Sequence, residues 1–146
     1  MKNSELDSFH IGVKALIRNP EGRILLLERH HPSKKIYWDI PGGRKQKGES
    51  VIDTLIREVK EETGYTDIME FHPFSMVLSD IRIPTQDGNN VGLIFSIFFC
   101  DIPDSRNPIL SSEHKHFSWF YPPAAAQKLN ADYPKEFIGK LSQLTF

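Results

Sequence analysis

Residues 43–65 read GRKQKGESVIDTLIREVKEETGY, and the spacing of residue types in this stretch predicts a capped, amphipathic helix. Ser50 is a favourable N-cap, and Asp53 three residues later can complete a short capping box. Gly64 can adopt the left-handed conformation that ends a helix. The apolar residues between these caps fall on one stripe of the helix, and we expect that stripe to pack on a sheet. The stripe consists of Val51, Ile52, Leu55, Ile56 and Val59.

Three carboxylates form a flank beside this stripe. Glu58, Glu61 and Glu62 are spaced i, i+3 and i+4, so their side chains lie close together and repel one another. An acidic helix face is usually just solvated, but this flank adjoins the apolar stripe and should be partly shielded from water. A hard divalent cation would relieve the repulsion, and carboxylate oxygens suit Mg²⁺ or Mn²⁺ better than Zn²⁺. The spacing alone leaves a solvated acidic face and a magnesium or manganese site both open, and the rest of the surrounding pattern favours the metal site.

The same positions match the Nudix box, written G-x5-E-x7-R-E-U-x-E-E-x-G-U. A lead-in of the form WxxPGG, at residues 38–43, is also similar to the family pattern. The sequence thus resembles the Nudix hydrolases, and coarse agreement in the order of elements extends over nearly the whole chain. The matching fixed residues are Gly43, Glu49, Arg57, Glu58, Glu61, Glu62 and Gly64, with Val59 and Tyr65 in the apolar slots.

Strand and helix patterns outside the box predict one domain over residues 1–146. A Pro-Glu-Gly turn at residues 20–22 should join the first two strands into a hairpin. The resemblance implies the Nudix fold, an α/β/α sandwich with a mixed β-sheet. We expect strands at 9–17, 23–28, 71–79, 91–100 and 117–121, and further helices at 122–129 and 133–144.

The resemblance also implies roles for the box residues. Glu49 would pair with Arg57 and hold the catalytic loop on the helix, and a bidentate arginine–carboxylate contact suits such a clamp. The carbonyl of Gly43 would face the metal, because the Pro-Gly-Gly turn lets the backbone approach closely. The remaining metal ligands would be Glu58, Glu61 and Glu62.

A further acidic candidate lies in the polar run at residues 111–116, just before the aromatic strand at 117–121. Many Nudix enzymes carry a glutamate in this late loop that binds metal or acts as a base, and Glu113 takes that place here. The general base is therefore either Glu58 or Glu113, and the sequence leaves both open. The neighbouring His114 and His116 are expected at the surface, as loop histidines usually are.

Three cations are candidates for contacting a diphosphate. Arg29 ends the second predicted strand and faces the place where related enzymes hold the substrate phosphates. Arg44 and Lys45 make the loop after the glycine turn basic, and they could attract the same group.

Composition sets broad limits on the remaining functions. The chain has 146 residues, 39% of them hydrophobic, and a net charge of −1, so it lacks the basic footprint of a protein that binds duplex nucleic acid or an anionic membrane. We find no membrane-span window and no signal-peptide pattern, and we expect a cytoplasmic enzyme that could form a homodimer. Cys100 lies in an apolar run, which predicts a buried, unreactive thiol.

The sequence therefore predicts a metal-dependent pyrophosphohydrolase whose small-molecule substrate is a nucleoside diphosphate linked to another group X, with nucleoside triphosphates favoured. The Pro or Tyr that the family associates with ADP-ribose or dinucleoside polyphosphates has no match at residues 80–82. Two alternatives remain. An isoprenoid-diphosphate isomerase would need a catalytic cysteine, and Cys100 lies far from the box. A catalytically silent nucleotide-binding module would tend to lose box carboxylates, and all are kept here.

Overall fold

The computed structural model describes residues 5–30 and 35–144, which form eight strands and three helices. Their order agrees with the predicted one, with two short strands added before the box helix and one before the longest strand. In chain order the elements are β1 (Phe9–Arg18), β2 (Ile24–Arg29), β3 (Tyr37–Asp39), β4 (Gly42–Arg44), α1 (Val51–Thr63), β5 (Glu70–Leu78), β6 (Ile83–Pro84), β7 (Asn90–Asp101), β8 (Phe117–Phe120), α2 (Pro122–Leu129) and α3 (Lys135–Ser142).

The sheet is mixed. Its central pair, β1 and β7, is parallel, with Phe9 opposite Gly92 and Arg18 opposite Asp101. The other pairings are antiparallel, and the main order is β3-β2-β1-β7-β5, with β4 on β1, β6 on β7 and β8 on β2. The expected α/β fold with a mixed sheet is confirmed.

Helices cover both faces of this sheet, and this explains why polar and apolar residues do not alternate along β1. Ala15 and Ile17 belong to the core beneath α1, whereas Leu16 belongs to the core that contains Phe137 and Leu141 of α3. A strand with both faces buried needs apolar residues at successive positions.

The helix α1 begins and ends where its caps predict. The Ser50 hydroxyl accepts a hydrogen bond from the Asp53 amide, and the Asp53 carboxylate accepts one from the Ser50 amide; Gly64 ends the helix with φ at 75°. Leu55 is fully buried, but Ile56 is 47% exposed, so its place in the predicted stripe was wrong. One residue turns the helix by about 100°, which carries Ile56 away from the sheet.

Two further differences concern the start of the last helix and a short strand that was not predicted. The last helix begins at Lys135 and not at residue 133, because Pro134 occupies its N-cap with an extended backbone. The short strand β4 was not predicted, since its two glycines carry no strand signal of their own and pair with β1 only through the tertiary fold. Within the described ranges 5–30 and 35–144, no helix has both the length and the apolar character needed to cross a membrane.

Candidate active site

The two glycines of β4 bring the backbone against both β1 and α1. Gly42 has φ at 155°, and a Cβ atom on it would lie 2.2 Å from the Val13 carbonyl oxygen. A Cβ atom on Gly43 would lie 2.3 Å from Oε1 of Glu58. Only glycine permits this approach. The Pro-Gly-Gly lead-in therefore brings the backbone of the glycine turn against the Glu58 carboxylate.

Arg57 clamps the loop before the helix. Its Nε and Nη2 atoms donate to the two carboxylate oxygens of Glu49 at 2.6 and 3.0 Å, and its Nη1 donates to Glu58 at 2.8 Å. The hydrogen bond from Arg57, helped by that from the Gln46 amide, lowers the pKa of Glu49 to about 2. The Thr54 hydroxyl donates to the same carboxylate at 3.1 Å. The pairing implied by the resemblance is thus present, and it ties the loop to α1.

The three carboxylates on the flank of α1 lie in different surroundings. The Glu61 side chain is 58% exposed and that of Glu58 only 16%. Burial raises the pKa of Glu58; the hydrogen bond from Arg57 opposes this shift, and the negative charge of Glu62 adds to it.

Glu62 is almost completely buried, with 4% of its surface exposed. Its Oε1 atom accepts a hydrogen bond from the Gly42 amide at 2.7 Å. Its Oε2 atom lies 3.3 Å from Nη2 of Arg29 and 2.9 Å from Nε2 of His114. Donors from three separate segments therefore compensate for a buried charge that would otherwise be costly.

His114 was expected at the surface, and that expectation was wrong. Its side chain is fully buried, with Nδ1 lying 3.3 Å from the Glu28 carbonyl oxygen and Nε2 facing Glu62. The run Ser-Ser-Glu-His-Lys-His has no periodicity that could indicate this burial, because the contacts that cause it are distant in sequence. The second histidine of the run, His116, is exposed as expected.

Glu113 lies at the mouth of the resulting acidic cleft. Its side chain is exposed, and one ligand atom each from Glu113, Glu62 and His114 lie within 4.8 Å of one another. The cleft has a volume of about 400 Å³. It is lined by Arg29, Gly42, Gly43, Glu58, Glu61, Glu62, Ser111, Ser112 and Glu113.

A second cleft, of about 560 Å³, shares Arg29, Gly42 and Gly43 with the acidic one. Its walls include the aromatic rings of Phe95 and Tyr133. It therefore offers aromatic surface next to the acidic cleft.

The floor between the clefts is a buried ion network around Asp39. Its carboxylate accepts hydrogen bonds from Lys14 at 3.3 Å and from the Tyr133 hydroxyl at 2.5 Å, and Nε of Arg29 lies 3.0 Å away. Burial alone would raise the pKa of Asp39, but the charges of Lys14 and Arg29 outweigh it and the pKa is lowered. Arg29 is thus bound on one side to Asp39 and on the other to Glu62, with 26% of its side chain exposed.

The other two candidate cations line a smaller recess of about 390 Å³, which also borders Glu58. Arg44 contacts His10 through Nη1 and Nδ1 at 3.1 Å, and Lys45 lies beside them. Arg29 therefore lines the acidic cleft itself, whereas Arg44 and Lys45 lie in the neighbouring recess that shares Glu58 with it.

Comparison with known proteins agrees with this geometry. The family model described as the NUDIX domain matches residues 8–141. The chain belongs to the Nudix family. It is 30% identical to the CTP pyrophosphohydrolase of Escherichia coli K12 over 118 residues, which are 80% of each chain. Among solved structures, the MutT protein from Methanosarcina mazei Go1 is 28% identical, with a TM-score of 0.69 and coverage of 94% of this chain and 93% of that one.

Some relatives of this Nudix chain are much longer. It is 31% identical to the octanoyltransferase of Myxococcus xanthus over 116 residues, which are 77% of this chain but 30% of that protein. Across the first curated relatives that it matches, the chain spans about a third of their length or less.

Proposed function

We propose that this Nudix chain is a pyrophosphohydrolase that depends on a divalent cation and cleaves a nucleoside diphosphate linked to another group X, with nucleoside triphosphates favoured. One observation carries the proposal. Carboxylates from the box helix and from the late loop converge in one cleft, and cations with an adjoining aromatic cleft surround it. Diphosphate cleavage needs the carboxylates and the cations, since the charge of the bridging phosphates must be neutralised while water attacks.

The donor set fits Mg²⁺ or Mn²⁺. Carboxylate, carbonyl and hydroxyl oxygens line the acidic cleft, and these are the ligands that hard cations prefer. The Ser111 hydroxyl is buried there without a hydrogen-bond partner among the described residues. A bound cation would neutralise phosphate charge and assist the ionisation of water. We assign its ligands to the Gly43 carbonyl and to Glu58, Glu61, Glu62 and Glu113.

Two carboxylates remain candidates for the general base. Glu58 is shielded and has a raised pKa, which suits a proton acceptor, and Arg57 orients it through a hydrogen bond at 2.8 Å. Glu113 is exposed at the mouth of the cleft and makes no hydrogen bond to the described residues, so it can turn towards an entering water molecule. Arg57 and Glu49 would contribute by holding the catalytic loop on the helix.

The substrate assignment rests on charge and shape. Arg29, Arg44 and Lys45 would bind the phosphates, because Arg29 lines the acidic cleft and the other two line the recess beside Glu58. The aromatic cleft would take the base, since stacking on Phe95 or Tyr133 suits a planar ring. The CTP pyrophosphohydrolase to which the chain is similar supports a nucleotide substrate.

The rival isomerase chemistry requires an accessible thiol. Cys100 is fully buried in the core beneath α1, together with Leu55 and Val59, and burial raises its pKa well above the ordinary range. It is the only cysteine of the chain, so hydrolysis is favoured over a cysteine-dependent isomerisation.

The test is a panel of nucleoside triphosphates and nucleoside diphosphate derivatives with Mg²⁺, measured as phosphate released after treatment with a phosphatase. We expect turnover that EDTA abolishes and that Mg²⁺ or Mn²⁺ restores. Glu136→Gln, which changes an exposed carboxylate on α3, serves as the matched control and should keep full activity. Full turnover in chelator with no bound metal would refute the mechanism, and nucleotide binding without turnover would indicate a silent binding module.

A further inference from the structure

We propose that His114 is a positioning residue, which holds the Glu62 carboxylate and thereby fixes Glu113 over the acidic cleft. The expected effects of this role on kcat and KM rest on the proposed function, whereas its expected effects on the mobility of the loop and on Mn²⁺ binding do not. The late loop and the box helix are 52 residues apart at this contact, and the imidazole ring is what joins them.

The side chain of His114 is held between two oxygen acceptors. Nε2 lies 2.9 Å from Oε2 of Glu62, and Nδ1 lies 3.3 Å from the Glu28 carbonyl oxygen at the end of β2. Since a carboxylate can only accept, Nε2 carries the hydrogen in the first contact. The histidine therefore ties α1, β2 and the loop to one another.

Backbone hydrogen bonds hold the loop on either side of Glu113. The His114 amide donates to the Ser111 carbonyl at 3.2 Å, which closes a tight turn, and the His116 carbonyl accepts from the Glu28 amide at 2.9 Å. Glu113 itself is exposed and makes no hydrogen bond to the described residues. Its location over the cleft is consequently set by its neighbours, among them the buried ring that follows it.

A direct role for His114 as a metal ligand is less consistent with these contacts. Mg²⁺ prefers oxygen ligands, and Nε2 already faces a carboxylate at hydrogen-bond distance. The ring also has no exposed surface through which it could reach a substrate. A residue that acts through Glu62 and Glu113 accounts for both its burial and its orientation.

Two substitutions at position 114 separate the two ring contacts. The amide nitrogen of glutamine lies as many bonds from the backbone as Nε2, so His114→Gln can retain the donor to Glu62. The amide nitrogen of asparagine corresponds to Nδ1, so His114→Asn retains only the contact with Glu28. His114→Ala removes both, and His116→Ala changes an exposed histidine of the same loop as the matched control.

Four readouts apply to each variant: amide hydrogen exchange of residues 111–116 without metal, Mn²⁺ binding without substrate measured by electron paramagnetic resonance, kcat and KM. In His114→Ala and His114→Asn we expect at least tenfold faster exchange in the loop, Mn²⁺ binding weakened about tenfold or more, and a kcat loss of the same order at saturating metal. His114→Gln should remain within about threefold of the wild type in all four, and His116→Ala within about twofold.

The results for these variants distinguish a positioning role for His114 from a merely structural one. If His114→Ala keeps wild-type loop exchange and Mn²⁺ binding, or if asparagine rescues as well as glutamine, the positioning role is refuted. A variant with a lower melting temperature but unchanged kcat and Mn²⁺ affinity also refutes it, because the ring would then be merely structural. If the wild type hydrolyses no nucleotide, the proposed function fails, but loop exchange and Mn²⁺ binding still decide the role of His114.

Discussion

Replacing Glu62 by glutamine tests how the acidic cleft is held together. Repulsion among the box carboxylates predicts that removing one charge should stabilise the protein. The surroundings of Glu62 predict the opposite, because the Gly42 amide, Arg29 and His114 all donate to it and its side chain is only 6% exposed. The single carbonyl oxygen of glutamine can accept hydrogen bonds at only one of the two carboxylate oxygen positions. Its NH₂ group would then face the donors at the other position.

The expected cost can be estimated from these contacts. A buried donor left without an acceptor costs about 1–3 kcal/mol, and hydrogen bonds that involve charged groups lie at the upper end of that range. With the glutamine oxygen on the Gly42 amide, the two donors Arg29 and His114 lose their shared acceptor together, so we expect Glu62→Gln to lose about 3 kcal/mol of unfolding free energy. For a chain of this size, that corresponds to a fall in Tm of about 10 °C.

The assay is thermal unfolding followed by circular dichroism at neutral pH in EDTA, which removes any contribution from bound cations. Glu61→Gln is the matched control, since its side chain lies one residue away on the same helix but is 58% exposed. Its Tm should change by no more than about 2 °C, as expected for an exposed ion pair. A Tm for Glu62→Gln at or above that of the wild type would show that carboxylate repulsion outweighs the donors.

Four other substitutions test the clamp, the base and the glycine turn. Arg57→Ala should lower Tm by several degrees, because Glu49 loses its bidentate partner. Since the pKa of Glu49 is lowered from 4.5 to about 2, its pairing stabilises the fold above pH 4.5 and this contribution is lost as the pH falls towards 2; the difference in Tm between the wild type and Glu49→Gln should close over that range. Glu113→Gln should reduce kcat by roughly 10²-fold at saturating Mg²⁺, and a loss below about threefold would leave Glu58 as the base. Gly43→Ala should reduce kcat at least about tenfold in steady-state assays, because its Cβ atom would displace the Glu58 carboxylate, and unchanged kinetics would contradict that contact.

The sequence alone determined the parts of this site whose contacts are local. Ser50, Asp53 and Gly64 define the ends of α1 through bonds that reach no more than four residues. The pairing of Arg57 with Glu49 spans eight residues and was implied by the resemblance to the family, since helical periodicity does not place Glu49. Capping and helical periodicity act over one or two turns, so residue spacing is sufficient to predict them.

Only the tertiary structure decided which carboxylate is buried and what compensates for its charge. Glu62 meets Gly42, Arg29 and His114, which lie 20, 33 and 52 residues away in the chain. No local pattern distinguishes Glu62 from the exposed Glu61, or the buried His114 from its exposed neighbour. The burial of a polar side chain depends on donors that arrive from other elements, and the fold brings those donors together only when α1 packs against the glycine turn and the late loop.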